Sequence, residues 1–270
     1  MACSKRTVQL RAATALAAAA LLAALAPLAA AATLIGTDGP DDLRGGADAD
    51  QIYAEGGDDS ITGGRGNDYL EAGPGDDVVN GGAGADLLIG GTGRDTLAGG
   101  DGADVIYAGA GDDLVLGEQG ADTLFGQAGD DRIFGGAGPD RIYASFGTDF
   151  VDGGSGADWI SAAAGNATIE GGGGDDTISA TDGRFHVNGG AGDDEIRTGG
   201  GRDSVDGGHG RDLIASGGGD DVINVRDGAR DRVRCGRGRD RVTADQFDLV
   251  SGCETVLRAR VHRAPRAGND

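Results

Sequence analysis

The stretch GGTGRDTLAGGDGADVIY, residues 90–107, contains the same nine-residue pattern twice. Each half has glycine at positions 1, 2 and 4, aspartate at position 6 and a large aliphatic residue at position 8, Leu97 and then Ile106. Glycine loses more conformational entropy on folding than any other residue, and closely spaced carboxylates repel one another. A chain built from such units therefore needs a source of stability outside its own sequence.

The nine-residue pattern extends from Gly36 to Asn224 without an insertion or deletion, which makes 21 repeats of G-G-x-G-x-D-x-U-x, where U is a large aliphatic residue. Position 8 is aliphatic in all 21 repeats and position 6 is aspartate in 19, the exceptions being Ala167 and Phe185. A flexible acidic linker is the alternative interpretation, but a linker has no reason to keep an aliphatic residue at every ninth position. The pattern therefore predicts a repetitive fold.

The nine-residue unit predicts one short strand and one turn. Positions 7 to 9 would form the strand, with position 8 pointing inward, and the glycine-rich positions 1 to 6 would form the turn. Two repeats, or 18 residues, then close one coil of a flattened solenoid, and stacked coils bury a continuous core. We predict an all-β parallel β-roll over residues 33–224, with about ten coils and a length of about 50 Å at roughly 4.8 Å per coil.

This pattern resembles the haemolysin-type calcium-binding repeats of the RTX family, and the resemblance covers residues 36–224. It implies a parallel β-roll with several Ca²⁺ ions held between successive turns. Calcium prefers about six to eight oxygen ligands, chiefly carboxylates and backbone carbonyls, and glycine-rich turns offer both. The predicted metal ligands are the position-6 aspartates: Asp41, Asp50, Asp59, Asp68, Asp77, Asp86, Asp95, Asp104, Asp113, Asp122, Asp131, Asp140, Asp149, Asp158, Asp176, Asp194, Asp203, Asp212 and Asp221.

The turns separate into two edges, because turns on one edge recur every second repeat. Counting from Gly36, we call the turns of the even-numbered repeats the even edge and those of the odd-numbered repeats the odd edge. The even edge keeps aspartate in all ten repeats, although Asp48 replaces a glycine in its first turn. The odd edge loses aspartate twice in succession, at Ala167 and Phe185. We therefore predict a calcium-poor gap there and at most about sixteen ions in all, one for each pair of neighbouring aspartates.

The charge of the chain is strongly negative and unevenly placed. The net charge is −22, and residues 36–224 alone carry 9 Arg against 38 Asp and Glu, which gives −29. Such a field attracts cations and argues against nucleic acid or an anionic membrane surface as a partner. Aromatic residues make up only 4% of the chain, so an ordinary bulky core is not expected.

The two ends of the chain differ from the repeats. Residues 1–32 have a basic start, an Ala/Leu-rich stretch and small residues before Ala32, which predicts a secretory signal peptide and an extracellular or cell-surface protein. A retained membrane anchor over Ala12–Ala32 is the alternative. At the other end, the phase slips after Asn224, so we predict a degenerate closing coil over residues 225–257 and a disordered tail over residues 258–270.

Two cysteines, Cys235 and Cys253, lie 18 residues apart in the predicted closing coil. They would be close enough for a disulfide if that coil closes normally, and an exported protein reaches a compartment that permits one. Two free thiols are the alternative.

An aromatic row is predicted on one outer sheet face. Tyr107, Phe125 and Tyr143 occupy position 9 of alternate repeats and should therefore stack as a ladder. One interpretation is that the ladder binds a saccharide or protein partner. The alternative is that its rings only stack on one another and so stabilise the sheet.

Catalysis has little support in the sequence. His186, His209 and His262 are isolated, and the only lysine is Lys5, which excludes a GxxxxGK[ST] phosphate-binding loop. We expect a non-enzymatic calcium-binding scaffold or adhesive module. The alternative is a component of an RTX-type secreted enzyme or cytotoxin whose active domain lies on another chain. An ice-binding solenoid is disfavoured, because positions 7 and 9 lack a regular threonine row.

Overall fold

A computed structural model describes residues 31–258 of the chain. Nearly all of the predicted signal peptide and of the predicted C-terminal tail lies outside the described residues, as do Cys3 and His262. Both end predictions therefore stay predictions.

The described chain consists of 24 short β-strands joined by turns. The strands are β1 Thr33–Thr37, β2 Asp42–Arg44, β3 Gln51–Glu55, β4 Ser60–Arg65, β5 Tyr69–Pro74, β6 Val78–Ala83, β7 Leu87–Thr92, β8 Thr96–Asp101, β9 Val105–Ala110, β10 Leu114–Gln119, β11 Thr123–Ala128, β12 Arg132–Ala137, β13 Arg141–Tyr143, β14 Phe146–Ser155, β15 Trp159–Gly173, β16 Thr177–Ala191, β17 Glu195–Gly200, β18 Ser204–Asp206, β19 Leu213–Gly218, β20 Val222–Val225, β21 Arg232–Arg237, β22 Arg241–Ala244, β23 Leu249–Ser251 and β24 Thr255–Arg258. Within residues 31–258 there is no α-helix, and accordingly no helix that could cross a membrane.

The strands pair in parallel with a constant shift of 18 residues through the regular repeats. Ile61 of β4 lies opposite Val79 of β6, and Leu70 of β5 lies opposite Leu88 of β7. Because each strand from β1 to β10 and from β17 to β24 pairs with the one after next along its row, the strands form two rows; the long strands β14 to β16 belong to both rows and also pair with their immediate neighbours. The chain is therefore a flattened solenoid with one sheet on each side, as the 18-residue coil predicts.

The solenoid has about 13 turns across residues 31–258, rather than the ten expected from the regular repeats. The difference arises at the ends. Strand β1 pairs with β3 before the first full repeat closes, and β21 to β24 continue the two rows after Asn224.

The core is the row of position-8 side chains between the two sheets. All of these side chains are buried except Leu43, which is partly buried and packs against the end of the core. Ile52, Leu124 and Ile214 are each 0% exposed. The turns of the odd edge add small side chains to this core at position 1, such as Ala54 and Ala108. Each coil therefore contributes two large aliphatic residues, and stacking of coils supplies the continuity.

Most strands are longer than the three residues predicted. A typical strand of six residues, such as Val78–Ala83, runs from position 7 through position 3 of the next repeat. The reason is that pairing with the next coil continues past position 9, with Gly64 opposite Gly82 and Arg65 opposite Ala83. The turn proper is confined to positions 4 to 6.

Three successive strands cross from one sheet to the other. Strand β14 passes through the odd edge at Asp149, and β15 and β16, each 15 residues long, pass through it at Ala167 and Phe185, where most other repeats have a turn. Ala167 lies opposite both Asp149 and Phe185 in a continuous parallel register. The two repeats without a position-6 aspartate, and the repeat of Asp149 before them, therefore have extended backbone in place of the turn.

The segment after Asn224 keeps the winding despite its change of phase. The inter-coil bond from the Asp212 amide reaches Asp231, 19 residues on, and that from Asp231 reaches Asp248, 17 residues on. Cys235 and Cys253 are joined by a disulfide in this segment, with a Cα–Cα distance of 5.2 Å.

Candidate metal centre

The position-6 aspartates form two columns of buried carboxylates, one along each edge. Asp86, Asp104 and Asp122 are 1 to 2% exposed on the even edge, and Asp77 and Asp95 are 1% exposed on the odd edge. Each follows the turn and precedes a strand, so its side chain lies between its own coil and the neighbouring one. The structure therefore places carboxylates at one-coil spacing, as the repeat predicts.

One oxygen of each carboxylate after Asp41 is held by the preceding coil. The Asp86 backbone N–H donates to Asp104 Oδ1 at 2.7 Å, and the Asp104 N–H donates to Asp122 Oδ1 at 2.8 Å. The same bond recurs along both edges, for example from Asp77 N–H to Asp95 Oδ1 at 2.9 Å. These bonds fix the orientation of the carboxylate and direct its second oxygen into the turn.

The second oxygen, Oδ2, is buried without a hydrogen-bond partner among the described residues in 16 of the 19 predicted ligands. These are Asp59, Asp68, Asp77, Asp86, Asp95, Asp104, Asp113, Asp122, Asp131, Asp140, Asp158, Asp176, Asp194, Asp203, Asp212 and Asp221. An unpaired buried acceptor is costly, and a buried charge more so. A column of such oxygens is the donor set that a hard divalent cation requires.

Three predicted ligands differ from this pattern. Asp41 Oδ2 accepts hydrogen bonds from the N–H and hydroxyl of Thr37, and Asp50 Oδ2 accepts one from the Gly46 N–H at 2.6 Å. Asp149, the last aspartate before the interruption of the odd edge, is not in the set with an unpaired Oδ2. The first turn of each edge and the turn before the interruption are therefore weaker candidates.

Position-1 glycines let carboxylate and carbonyl oxygens approach the same point. A Cβ at Gly63 would lie 2.5 Å from Asp68 Oδ2 and 2.6 Å from the Gly81 carbonyl oxygen, which belongs to the next coil. Two oxygens of different types therefore converge beside the glycine, one from each coil. This is the arrangement that a cation bound between turns needs.

The two edges differ at position 1. All ten even-edge repeats have glycine there, whereas eight of the eleven odd-edge repeats have Ala, Ser or Thr. On the odd edge, the hydroxyl of Thr198 donates to the Ser216 carbonyl oxygen at 3.0 Å, so side chains occupy part of the turn interior. The even edge is the more uniform candidate for cation binding.

Burial raises the pKa of most aspartates in the middle of the two columns above the ordinary value. The pKa rises to about 7 for Asp95, Asp131, Asp176 and Asp212, because burial penalises the charged form and neighbouring aspartates add repulsion. The backbone N–H bonds to the carboxylates oppose this shift only in part. Charged carboxylates in these columns are thus unstable without a counter-charge.

Not every turn carbonyl is free to bind a metal. The position-3 carbonyl of Ala83 accepts from the Gly66 N–H, and the position-6 carbonyl of Asp59 accepts from the Val78 N–H, both at 2.8 Å. The carbonyls at these two positions are therefore already used by hydrogen bonds between coils. The Gly81 carbonyl described above, at position 1, remains the clearest backbone candidate.

Side chains alone do not build a complete metal site. Within residues 31–258, His, Cys, Asp and Glu form no cluster of three or more with the spacing of a metal site. Each gap between coils offers carboxylate oxygen together with backbone oxygen, and this mixed donor set suits calcium better than zinc. The residues of the columns therefore fit calcium, with backbone oxygens completing the site.

The columns continue beyond the last regular repeat, which the sequence prediction missed. Asp231 and Asp240 are 1% exposed, accept the amides of Asp212 and Asp221, and each has an unpaired Oδ2. The signal was present in the sequence, because R-D-R-V occurs at both 230–233 and 239–242. The change of phase after Asn224 hid it.

The predicted aromatic ladder is present in the structure. Tyr107 and Phe125 stack with ring centroids 4.6 Å apart, as do Phe125 and Tyr143, and Trp159 extends the row at 5.0 Å from Tyr143. The nearly parallel rings of Tyr107 and Tyr143 cover both faces of Phe125, so this central ring presents its edge rather than an open face. His186 and His209 are exposed on the odd and even edges and are not part of the ladder.

Comparison with known families agrees with the geometry. A family model described as an RTX calcium-binding nonapeptide repeat (4 copies) matches residues 35–70, 53–88, 62–97, 89–124, 125–160, 152–184 and 188–223. These overlapping matches cover most of the chain. Among curated proteins, none matches it.

Proposed function

Because the chain belongs to the RTX calcium-binding nonapeptide repeat family, we propose that it is a secreted, non-enzymatic protein whose β-roll folds and stacks when calcium binds between successive turns. The observation that carries this proposal is the pair of buried aspartate columns, in which one oxygen of nearly every carboxylate has no hydrogen-bond partner among the described residues. A bound divalent ion offsets the repulsion within each column and satisfies these oxygens.

The even edge would hold the most regular series of ions. Its residues from Asp68 to Asp212 all keep an unpaired Oδ2, and position-1 glycines leave room beside each one. The odd edge would hold two shorter series on either side of Ala167 and Phe185. Asp231 and Asp240 extend the candidate ligands by one coil on each edge.

Coupling of folding to calcium suits a protein that leaves the cell. Mutual repulsion of the carboxylates would keep the chain expanded where calcium is scarce, and binding would order it where calcium is abundant. Sites of this kind in extracellular modules have dissociation constants of roughly 10⁻⁴ to 10⁻³ M. The proposed export rests on the signal-like residues 1–32.

The folded rod would act as an extracellular or cell-surface scaffold or adhesive module. The stacking of Tyr107, Phe125 and Tyr143 favours a stabilising role for the aromatic ladder, because the central ring, Phe125, has both faces covered. A saccharide or protein partner at the ladder would have to bind ring edges. Replacing all three residues with serine tests this, since loss of surface binding at unchanged stability supports the partner role.

Far-UV circular dichroism of residues 33–270 tests the proposed function directly. After chelation, calcium is titrated in and compared with magnesium, which prefers smaller octahedral sites. We expect a calcium-specific change from disordered to β-rich signal. A β-rich spectrum that persists in chelator at neutral pH would contradict folding coupled to calcium.

A further inference from the structure

The interruption of the odd edge opens a groove that the calcium columns do not use. It has a volume of about 770 Å³ and runs past four successive odd-edge coils, from Thr148 through Asn166 and Arg184 to Arg202. Its floor is the extended backbone of β15 and β16, with Ala167 at the groove and Phe185 fully buried beneath it. The groove therefore lies where the turns, and the acidic side chains at position 6, are missing.

The side chains around this groove reverse the charge of the surrounding repeats. Arg184, Arg202 and His186 line it together with Asn166, Thr148 and Thr168, and none of its nine lining residues is acidic. Glu170 and Asp206 lie in the adjoining depression on the other side of His186. Within a segment of net charge −29, this is a local concentration of cations and hydrogen-bond donors.

The two arginines lack the partner that arginines at the same repeat position have elsewhere. At position 5, Arg94 pairs with Asp76 at 3.0 Å and Arg211 pairs with Asp193 at 2.5 Å, in each case the position-5 aspartate one coil earlier. For Arg184 the residue one coil earlier is Asn166, whose side chain accepts the Arg184 backbone N–H. For Arg202 it is Arg184 itself.

Arg184 has no compensating carboxylate, and Arg202 shares one with another arginine. Among residues 31–258, Arg184 has no carboxylate within ion-pairing distance, and Arg202 donates to Asp220 at 3.4 Å. Asp220 is already engaged at 2.7 Å by Arg239. Two exposed guanidinium groups thus follow one another one coil apart, at a backbone spacing of roughly 4.8 Å. Like charges at this spacing repel, which an anion between them would relieve.

We propose that this groove binds a compact oxyanion, of the chemistry of a sulfate or phosphate group, between Arg184 and Arg202. Each planar guanidinium supplies a fork of N–H donors that matches an oxyanion. His186 and the hydroxyls of Thr148 and Thr168 provide further donors around the rim. The two arginines would bind an anion between successive coils, as the aspartate columns would bind cations.

Equilibrium dialysis with radiolabelled sulfate, on the calcium-loaded protein, tests the proposal. Sulfate is chosen because it remains soluble with millimolar calcium. Arg184→Gln/Arg202→Gln is compared with Arg94→Gln/Arg211→Gln, which removes the same charge from the same repeat position but outside the groove. We expect saturable binding of about one sulfate that falls by about tenfold or more in the first variant and is retained in the second. The β-rich circular dichroism of each variant checks folding, and the single variant Arg184→Gln serves if the double variant does not fold.

Two results would overturn the proposal: no saturable binding to the unaltered protein, or equal loss in both double variants, which would indicate general charge attraction. A parallel titration with glucose 6-sulfate distinguishes the source of the group. Tighter binding than inorganic sulfate identifies an oxyanion carried on a sugar, and equal binding identifies the free ion. Glucose is the neutral control.

Discussion

The glycines of the turn are required for different reasons, and those at position 4, such as Gly111, tolerate a side chain least. It has φ +143°, and a Cβ there would lie 1.6 Å from the Gly93 carbonyl oxygen of the preceding coil. Position 2 is more tolerant, since Glu118 adopts φ 73° there. Position 4 therefore combines a conformation that side chains rarely adopt with close contact between stacked backbones.

Gly111→Ala should destabilise the calcium-loaded roll by about 2–5 kcal/mol, because strain at positive φ and a backbone clash act together. Urea unfolding followed by circular dichroism in saturating calcium measures the loss. Gly173→Ala is the control, since a Cβ there meets nothing within 4 Å and the expected change is below about 0.5 kcal/mol. Similar losses for the two variants would show that crowding between coils is not the cause.

The carboxylate of Asp104 is the sharpest test of a single predicted ligand. Asp104→Asn keeps the oxygen that accepts the Asp86 N–H but replaces the unpaired Oδ2 with an uncharged amide nitrogen. Because Asp104 faces a gap between coils on each side, we expect up to about two fewer calcium ions, measured by flow dialysis. The exposed Asp101, changed to Asn, should leave the number unchanged. An unaltered count in Asp104→Asn would remove the even edge as the binding site.

At the scale of elements, strands β15 and β16 show what happens when a repeat loses its acid. With Ala167 and Phe185 at position 6, the odd edge has no carboxylate to hold in two successive turns, and the backbone runs on as a strand, as it already does one coil earlier through Asp149. Phe185 is completely buried, so it fills the space with apolar volume. The predicted calcium-poor gap stays a prediction, and the absence of turns supports it.

Restoring both aspartates tests whether the missing carboxylate ligands are the reason that this part of the odd edge binds little calcium. Ala167→Asp/Phe185→Asp recreates three neighbouring aspartate pairs, so we expect up to about three additional calcium ions. In chelator the same variant should be less stable, because two buried carboxylates replace apolar side chains. Calcium counts by flow dialysis and unfolding in chelator measure the two effects.

The control for this experiment adds the same charge to exposed positions of the same strands, as Thr168→Asp/Asn188→Asp. Its calcium count should not rise. If the count is unchanged in the position-6 variant as well, the extended backbone rather than the missing acid excludes calcium.

Across the whole molecule, the two columns make stability depend on pH in a direction opposite to that of an ordinary acidic protein. The folded pKa of Asp95, Asp131, Asp176 and Asp212 is raised to about 7 from 3.8, and that of Asp86, Asp104 and Asp122 to about 6. A raised pKa means that the folded state holds protons more tightly than the unfolded state. The stabilisation is therefore full below pH 3.8 and is lost as the pH rises through 6 to 7.

In chelator, the roll should accordingly be more β-rich at pH 5 than at pH 8, where the columns are charged. With excess calcium it should stay folded at pH 8, and the half-saturating calcium concentration should fall as pH rises, because protons and calcium compete for the same oxygens. Circular dichroism at both pH values, with and without calcium, gives the result. Greater stability at pH 8 than at pH 5 in chelator would show that the columns are not buried as described.

Several features of the molecule were determined by the sequence alone. The nine-residue period predicts which side chain points inward, which acids share an edge, and which rings stack, because each depends only on the number of residues per coil. The buried position-8 row, the aspartate columns and the stacked Tyr107, Phe125 and Tyr143 all follow from that number.

Other features were decided only by the tertiary structure. The unpaired Oδ2 atoms, the continuous strands at Ala167 and Phe185, the continuation of the columns at Asp231 and the unpaired state of Arg184 each depend on what the adjacent coil contributes. A repeat pattern describes one coil, whereas hydrogen bonding and charge pairing take place between two. Residues that break the period change those contacts without changing the fold.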